Sequence, residues 1–253
     1  MPMNGVDTVP TASPAVRYSR WAGLLIGAVA ARIVGQAWDA EADIGVLYAI
    51  VAFGLCAIIG VLAGNALTAR PRGPVRTAGL APRQVRDYVP PRMTPFLIAQ
   101  AGVVVVLVVA AAILARSDEA SRAGHPLAFA CQDGSVIGIR SWPGVHNGLP
   151  ILTCLAVSTA ACLWSLTWIA RRPGNDQTRH DSALTVVAAW GLLVSALLLG
   201  IASTVSGDLM SMTCDGTLVR IGAALLWPTA LVALVTVSWC LFTVISPKAR
   251  VRR

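Results

Sequence analysis

Long apolar segments separated by short polar ones dominate this chain. Five of them reach the length of about 20 residues that an α-helix needs to cross a bilayer core of about 30 Å. A sixth, Trp21–Trp38, is shorter and carries Arg32 and Gln36. The five longer segments are Ile44–Leu67, Pro95–Leu114, Leu149–Ala170, Ala183–Val205 and Ile221–Ile245. The pattern predicts an all-α, polytopic transmembrane helical bundle with six spans.

Composition supports a membrane environment. Of the 253 residues, 56% are hydrophobic and only 13% are charged. A water-soluble domain of this size could not bury that much apolar side chain, so the expected solvent is the lipid bilayer. The net charge of +8 does not indicate nucleic-acid binding, because no basic domain lies outside the apolar segments. Arginine supplies every basic residue except Lys248, and this usage is typical of a GC-rich bacterial genome.

The polar connections alternate in charge along the chain. Most basic residues fall on one side: Arg17, Arg20, Arg70, Arg72, Arg76, Arg83, Arg86, Arg92, Arg171, Arg172, Arg179, Lys248, Arg250, Arg252 and Arg253. The positive-inside rule therefore predicts a bacterial plasma-membrane protein with both termini in the cytoplasm. The expected organisation is a flexible cytoplasmic tail (1–20), a transmembrane domain (21–246) and a basic cytoplasmic tail (247–253).

The first segment allows a second interpretation. Its basic start, its apolar run and the Ala-x-Ala at Ala28 and Ala30 also fit a signal peptide, whose removal would leave five spans. Apolar character resumes after Arg32 and continues to Trp38, which favours a span.

The arginine-rich stretch 75–91 lies between the second and third spans. Pro82 can begin a short helix and Pro90 would end it, with Val85, Tyr88 and Val89 on one apolar face. We expect this stretch to bind anionic lipid headgroups on the cytoplasmic face. The alternative is docking of a partner ATPase. The contact residues in either case are Arg76, Arg83, Arg86, Tyr88, Val89 and Arg92.

A resemblance to a known family rests on the segment "RTAGLAPRQVRDYVP", residues 76–90, and on the general topology. With its six apolar spans and arginine-rich loops, the chain resembles a family of uncharacterised actinobacterial integral membrane proteins. The resemblance implies the six-span fold and no catalytic or binding residues.

Two cysteines, Cys131 and Cys214, are predicted on the outer face, where oxidising conditions favour a disulfide between them. Cys154 is a competing partner, and two free thiols are the remaining alternative. The nearby "VIGIRSW" alternates as a strand does and predicts a small external hairpin that caps the helices. No ligand spacing indicates a metal site.

Polar and small residues inside the spans suggest contacts. Arg32 and Gln36 lie one turn apart, either as an anion or substrate contact in an outward-facing cavity or with Arg32 reaching outward to Asp39 or Asp43. Asn65 and Gln100 are expected to form interhelical hydrogen bonds. Glycine pairs offer close-approach faces within the chain or between copies in a homo-oligomer: Gly23 with Gly27, and Gly60 with Gly64.

Catalytic motifs are not found. The sequence contains no GxxxxGK[ST], HExxH or GxSxG motif, and none of the predicted spans contains Asp or Glu. We therefore expect no enzyme activity and no cofactor. The leading hypothesis is a structural, accessory or immunity-type membrane component. The alternatives are the membrane subunit of a transporter that works with a separate ATPase, and thiol redox chemistry through the two outer cysteines.

Overall fold

The structure is a computed structural model that describes residues 14–37, 42–67, 91, 93–114, 127–130, 136–139, 145–171, 176–211 and 217–246. These residues form six α-helices and one two-stranded ribbon. The helices are α1 (Pro14–Ala37), α2 (Ala42–Leu67), α3 (Met93–Leu114), α4 (Val145–Arg171), α5 (Asp176–Ser211) and α6 (Thr217–Ile245). The strands β1 (Leu127–Ala130) and β2 (Val136–Ile139) lie between α3 and α4 in sequence.

Five helices, α2 to α6, are each long and apolar enough to cross a membrane. This confirms the predicted helical, multi-pass architecture. In α1, the polar side chains of Arg20, Arg32 and Gln36 interrupt a helix of 24 residues and lower its mean hydropathy. The sixth span therefore stays a prediction.

α1 and α5 extend furthest beyond the predicted spans. α1 begins at Pro14, inside the stretch 1–20 that was expected to be a flexible tail. Proline suits the first turn of a helix because its missing N–H needs no partner there. The apolar stretch of α5 covers Arg179–Met210, 32 residues, which at 1.5 Å per residue is about 48 Å. A stretch of that length is longer than a bilayer core of about 30 Å, so Asp181 and Asp208 near its ends need not lie in the hydrocarbon region.

α5 forms the centre of the bundle. Its apolar stretch is 83% buried inside the protein, whereas the corresponding stretches of the other four helices are 22–39% buried. α2, α3, α4 and α6 pack directly against α5, and α1 packs mainly on α2. The side chains of Leu193, Leu197, Leu198 and Ile201 are at most 1% exposed. The described core along the bundle axis is therefore mainly apolar and closely filled.

Glycines in α5 permit this close packing. A Cβ at Gly191 would lie 2.8 Å from Leu97 of α3 and 3.0 Å from the Sγ of Cys240 of α6. A Cβ at Gly200 would lie 2.7 Å from Ile50 of α2. Because glycine has no side chain, both positions leave space that side chains of neighbouring helices fill. At these two positions α5 therefore packs at very short range against α2, α3 and α6.

α1 and α2 form an antiparallel pair around a glycine contact. A Cβ at Gly23 would lie only 2.7 Å from the Cα of Gly60, and a Cβ at Gly27 would lie 3.0 Å from the backbone oxygen of Phe53. The predicted close-approach faces of Gly23, Gly27 and Gly60 are confirmed, and they join helices of the same chain.

Large apolar side chains cover the outside of the described bundle. Leu25 of α1, Val106 of α3, Leu163 of α4 and Val235 of α6 are each 59–68% exposed. Contiguous apolar surface of this kind is unfavourable in water and is what lipid-facing helices present.

The ribbon pairs Leu127 with Ile139 and Ala130 with Val136 in antiparallel register. β2 covers the first four residues of "VIGIRSW", where the alternation predicted a strand, and its backbone lies near α5.

Candidate functional site

An open groove of about 560 Å³ lies between the second half of α1 and the first half of α2. α1 supplies four lining residues, α2 supplies four more, and α5 contributes one at the base. The lining consists of Ala31, Arg32, Gly35, Gln36, Val46, Ala49, Ile50, Phe53 and Ala196.

The groove exists because the two helices separate towards this end and carry small side chains there. At Gly23 the backbone of α2 is in direct contact, but the nearest atom to a Cβ at Gly35 is the Cβ of Ala49, at 3.9 Å. Ala31, Gly35 and Ala49 have too little volume to fill the resulting space. Phe53 closes the groove towards the glycine contact, since it lies against Gly27.

The polar side chains of the groove lining are those of Arg32 and Gln36. They lie four residues apart on α1, so their side chains share one face of the helix. Both are exposed and both line the groove, as their spacing predicted. The predicted acidic partners, Asp39 and the side chain of Asp43, lie outside the described parts of the chain.

The lining of the groove combines two polar side chains with apolar ones. The guanidinium of Arg32 provides a permanent positive charge with several N–H donors. The amide of Gln36 both donates and accepts hydrogen bonds. All other lining side chains are apolar, so the groove offers an apolar wall beside one cationic and one neutral polar group. Ligand sites commonly combine a mostly apolar lining with a few such groups.

The remaining predicted sites lie mainly outside the described residues. This applies to the inner-surface contact set Arg76, Arg83, Arg86, Tyr88, Val89 and Arg92, and to Cys131 and Cys214. Cys154, the competing disulfide partner, is a free thiol on α4, and Cys56, Cys162 and Cys240 are free as well. Among the residues that the structure does describe, no three His, Cys, Asp or Glu side chains lie close enough to hold a metal ion.

A pair of half-buried charges at the opposite end of α1 was not expected from the sequence. Arg20 of α1 is half-buried, and Asp181 of α5 provides a nearby negative charge. Burial lowers the pKa of the Arg20 guanidinium, and the charge of Asp181 acts in the opposite direction. Arginine keeps its proton in proteins, so Arg20 carries a positive charge beside Asp181 of α5. Asn65 and Arg179, which are buried, lie on α2 and α5 towards the same end.

Hydrogen bonds between side chains also join helices across the interior. The Nε2 of Gln100 on α3 donates to the Oγ1 of Thr236 on α6 over 3.1 Å. The Nε1 of Trp190 on α5 donates to the Oγ1 of Thr159 on α4 over 3.0 Å. The first bond confirms the interhelical role expected of Gln100.

Comparisons of the chain with protein-family models, with curated proteins and with solved structures find no significant match. The resemblance carried by residues 76–90 therefore stays an expectation, and any functional argument depends on this chain's own geometry.

Proposed function

We propose that the chain is a non-enzymatic integral membrane protein of the bacterial plasma membrane that acts as a structural, accessory or immunity-type component. The packed axis of the bundle carries this proposal. A transport path would run between the helices, and that space is filled by α5 side chains such as Leu193, Leu197 and Ile201, none more than 1% exposed. In addition, the groove lining contains no nucleophile and no acid–base pair.

The proposal includes six spans with both termini in the cytoplasm. The glycine contact between α1 and α2 supports α1 as a permanent part of the bundle. Removal of α1 as a signal peptide would expose the backbone of α2 around Gly60, where the two helices now touch. The basic residues of the loops and tails support the orientation.

One observation favours the alternative, a transporter subunit working with a separate ATPase. Arg32 and Gln36 line an open groove, as a substrate path would require. In that case the stretch 75–91 would dock the ATPase and α1 would move during the cycle.

Purification of the full chain from its native membranes in mild detergent, with quantitative mass spectrometry, tests the proposal. We expect no stoichiometric ATPase subunit and no ATP hydrolysis above that of a mock purification. A subunit with ATPase activity at equal stoichiometry would overturn the proposal if the double variant Tyr88→Ser and Val89→Ser loses it. The matched control is Arg171→Gln, an exposed position at the end of α4, which should retain any true partner.

A further inference from the structure

We propose that the groove between α1 and α2 binds an anionic phospholipid. One acyl chain lies along the apolar wall, and the phosphate group accepts hydrogen bonds from Arg32. The inference concerns a ligand of the groove, and it holds whether the bundle acts alone or with an ATPase.

The shape and lining of the groove fit an acyl chain. Its volume of about 560 Å³ is within the range of roughly 300–1,000 Å³ that is typical of ligand pockets. Val46, Ile50 and Phe53 form one wall, and Ala31 and Gly35 form the other. The groove is open along its side, and Val46 at its edge is 47% exposed to the surroundings of the bundle. A lipid chain can therefore enter laterally from the bilayer.

The position of Arg32 calls for an anion. Arg32 follows Arg20 by twelve residues on one helix, which is about 18 Å along the axis. If α1 spans the membrane, the guanidinium of Arg32 lies below the outer headgroups, where an arginine without a counter-charge is unfavourable. A phosphate oxygen of a bound lipid would offset that cost through charge-assisted hydrogen bonds. Gln36, one turn nearer the end of α1, can donate to the same headgroup.

A lipid fits this combination better than a soluble anion does. A soluble anion would have to give up its hydration against the apolar side chains of Val46, Ile50 and Phe53, which offer it no hydrogen bonds. A phospholipid places its charge on Arg32 and its apolar part on these same side chains. The apolar wall and the single cation are thus both used by one ligand.

Native mass spectrometry of the full chain with added lipid tests the inference. We expect the protein to retain phosphatidylglycerol at least about tenfold more strongly than phosphatidylcholine, which carries no net charge. In Arg32→Gln, phosphatidylglycerol affinity should fall roughly tenfold, as expected when a hydrogen bond to a charged group is lost. The control Arg171→Gln removes an exposed arginine elsewhere and should bind as the unaltered protein does.

A second pair of variants tests the groove itself. Gly35→Leu introduces a side chain into the groove, where the nearest atom of a neighbouring helix to its Cβ is the Cβ of Ala49, at 3.9 Å. It should abolish selective retention of phosphatidylglycerol. Its control is Gly102→Leu on α3, where nothing lies within 4 Å. Circular dichroism and gel filtration establish that each variant is folded.

Three results would overturn the inference. Equal retention of the two lipids would show that no anion site exists. Unchanged phosphatidylglycerol binding in folded Arg32→Gln or Gly35→Leu would place the lipid elsewhere. Displacement of the lipid by millimolar inorganic phosphate, with Arg32→Gln abolishing the phosphate effect, would identify a soluble anion as the ligand.

Discussion

The amide of Gln100 is the clearest case of a single side chain whose hydrogen bonds can be fully assigned. Thr236 donates its hydroxyl proton to the carbonyl of Val232 over 2.7 Å, so its Oγ1 can only accept from Gln100 Nε2. The Oε1 of Gln100 is buried and has no hydrogen-bond partner in the described structure. A buried acceptor left without a donor costs about 1–3 kcal/mol.

Replacing the two partners of this bond should therefore have opposite effects. Gln100→Leu keeps the size of the side chain and removes the unsatisfied acceptor, so the free energy of unfolding should stay constant or rise by up to about 1 kcal/mol. Thr236→Val should lower it by about 0.5–2 kcal/mol, because both ends of the buried amide then lack partners. Unfolding in mixed detergent–SDS micelles measures both. The hydrogen-bond assignment fails if Gln100→Leu proves the more destabilising change.

Residues close together in sequence were more predictable than those brought together by the fold. The spacing of Arg32 and Gln36 alone indicates a shared helix face, and the structure confirms it. The groove beside them depends on the small side chains of Ala49 and Ala196, which come from two other helices. Likewise, nothing in the sequence connects Arg20 with Asp181, since their proximity exists only once α1 and α5 are placed in one bundle.

At the scale of helices, the contact of α1 with α2 depends on the absence of side chains. Gly23 and Gly60 place the two backbones in direct contact, so any side chain at either position must push the helices apart. The glycine spacing indicated such a face but left open whether its partner was in the same chain. In the structure, α1 packs antiparallel against α2, so the partner of the glycine face lies in the same chain.

Gly60→Leu tests how much of the α1 packing depends on this contact. A Cβ at this position would lie 2.6 Å from the Cα of Gly23, and backbone cannot relax as a side chain can. We expect the free energy of unfolding to fall by more than about 2 kcal/mol, at the upper end of the cost of overpacking. Gly102→Leu, which meets no atom within 4 Å, should change it by less than about 0.5 kcal/mol. Equal effects of the two variants in the same mixed-micelle titration would contradict this account.

Helix existence was predictable because lipid imposes a minimum length of apolar sequence, but helix ends were less so. A hydropathy pattern marks where apolar residues stop, whereas the backbone hydrogen bonds of α5 continue through polar residues to Asp176 and Ser211. α1 likewise extends back to Pro14 through Tyr18 and Arg20, which the apolar pattern excludes.

At the scale of the whole molecule, the central position of α5 is the feature that hydropathy could not reveal. Lipid and the protein interior are both apolar, so a central and a peripheral helix show similar hydropathy. The available signal was the content of small residues. α5 carries Gly191, Ser195, Ala196, Gly200 and Ala202 within its apolar stretch, and these let four neighbours approach from different sides. Such a pattern around a whole helix indicates burial by protein on all sides.

The orientation of the whole bundle can be tested through its cysteines. Six spans with both termini in the cytoplasm place Cys131 and Cys214 outside the cell. The other four cysteines belong to α2, α4 and α6, inside the apolar stretches, and can be replaced by Ala to leave only the outer pair. In this background, and if the predicted Cys131–Cys214 disulfide forms, a membrane-impermeant maleimide should label intact cells only after a membrane-impermeant reductant has been added.

The same assay on the N-terminus decides between six spans and five. Ser13→Cys, introduced into a variant without other cysteines, should be labelled only after the membrane is permeabilised, because six spans keep residue 13 in the cytoplasm. The matched control Lys248→Cys should behave identically at the other terminus. If α1 is removed as a signal peptide, the mature protein loses the Ser13→Cys signal while Lys248→Cys keeps its own. Labelling of both positions in intact cells would instead reverse the predicted orientation, and with it the assignment of the arginine-rich loops to the inner face.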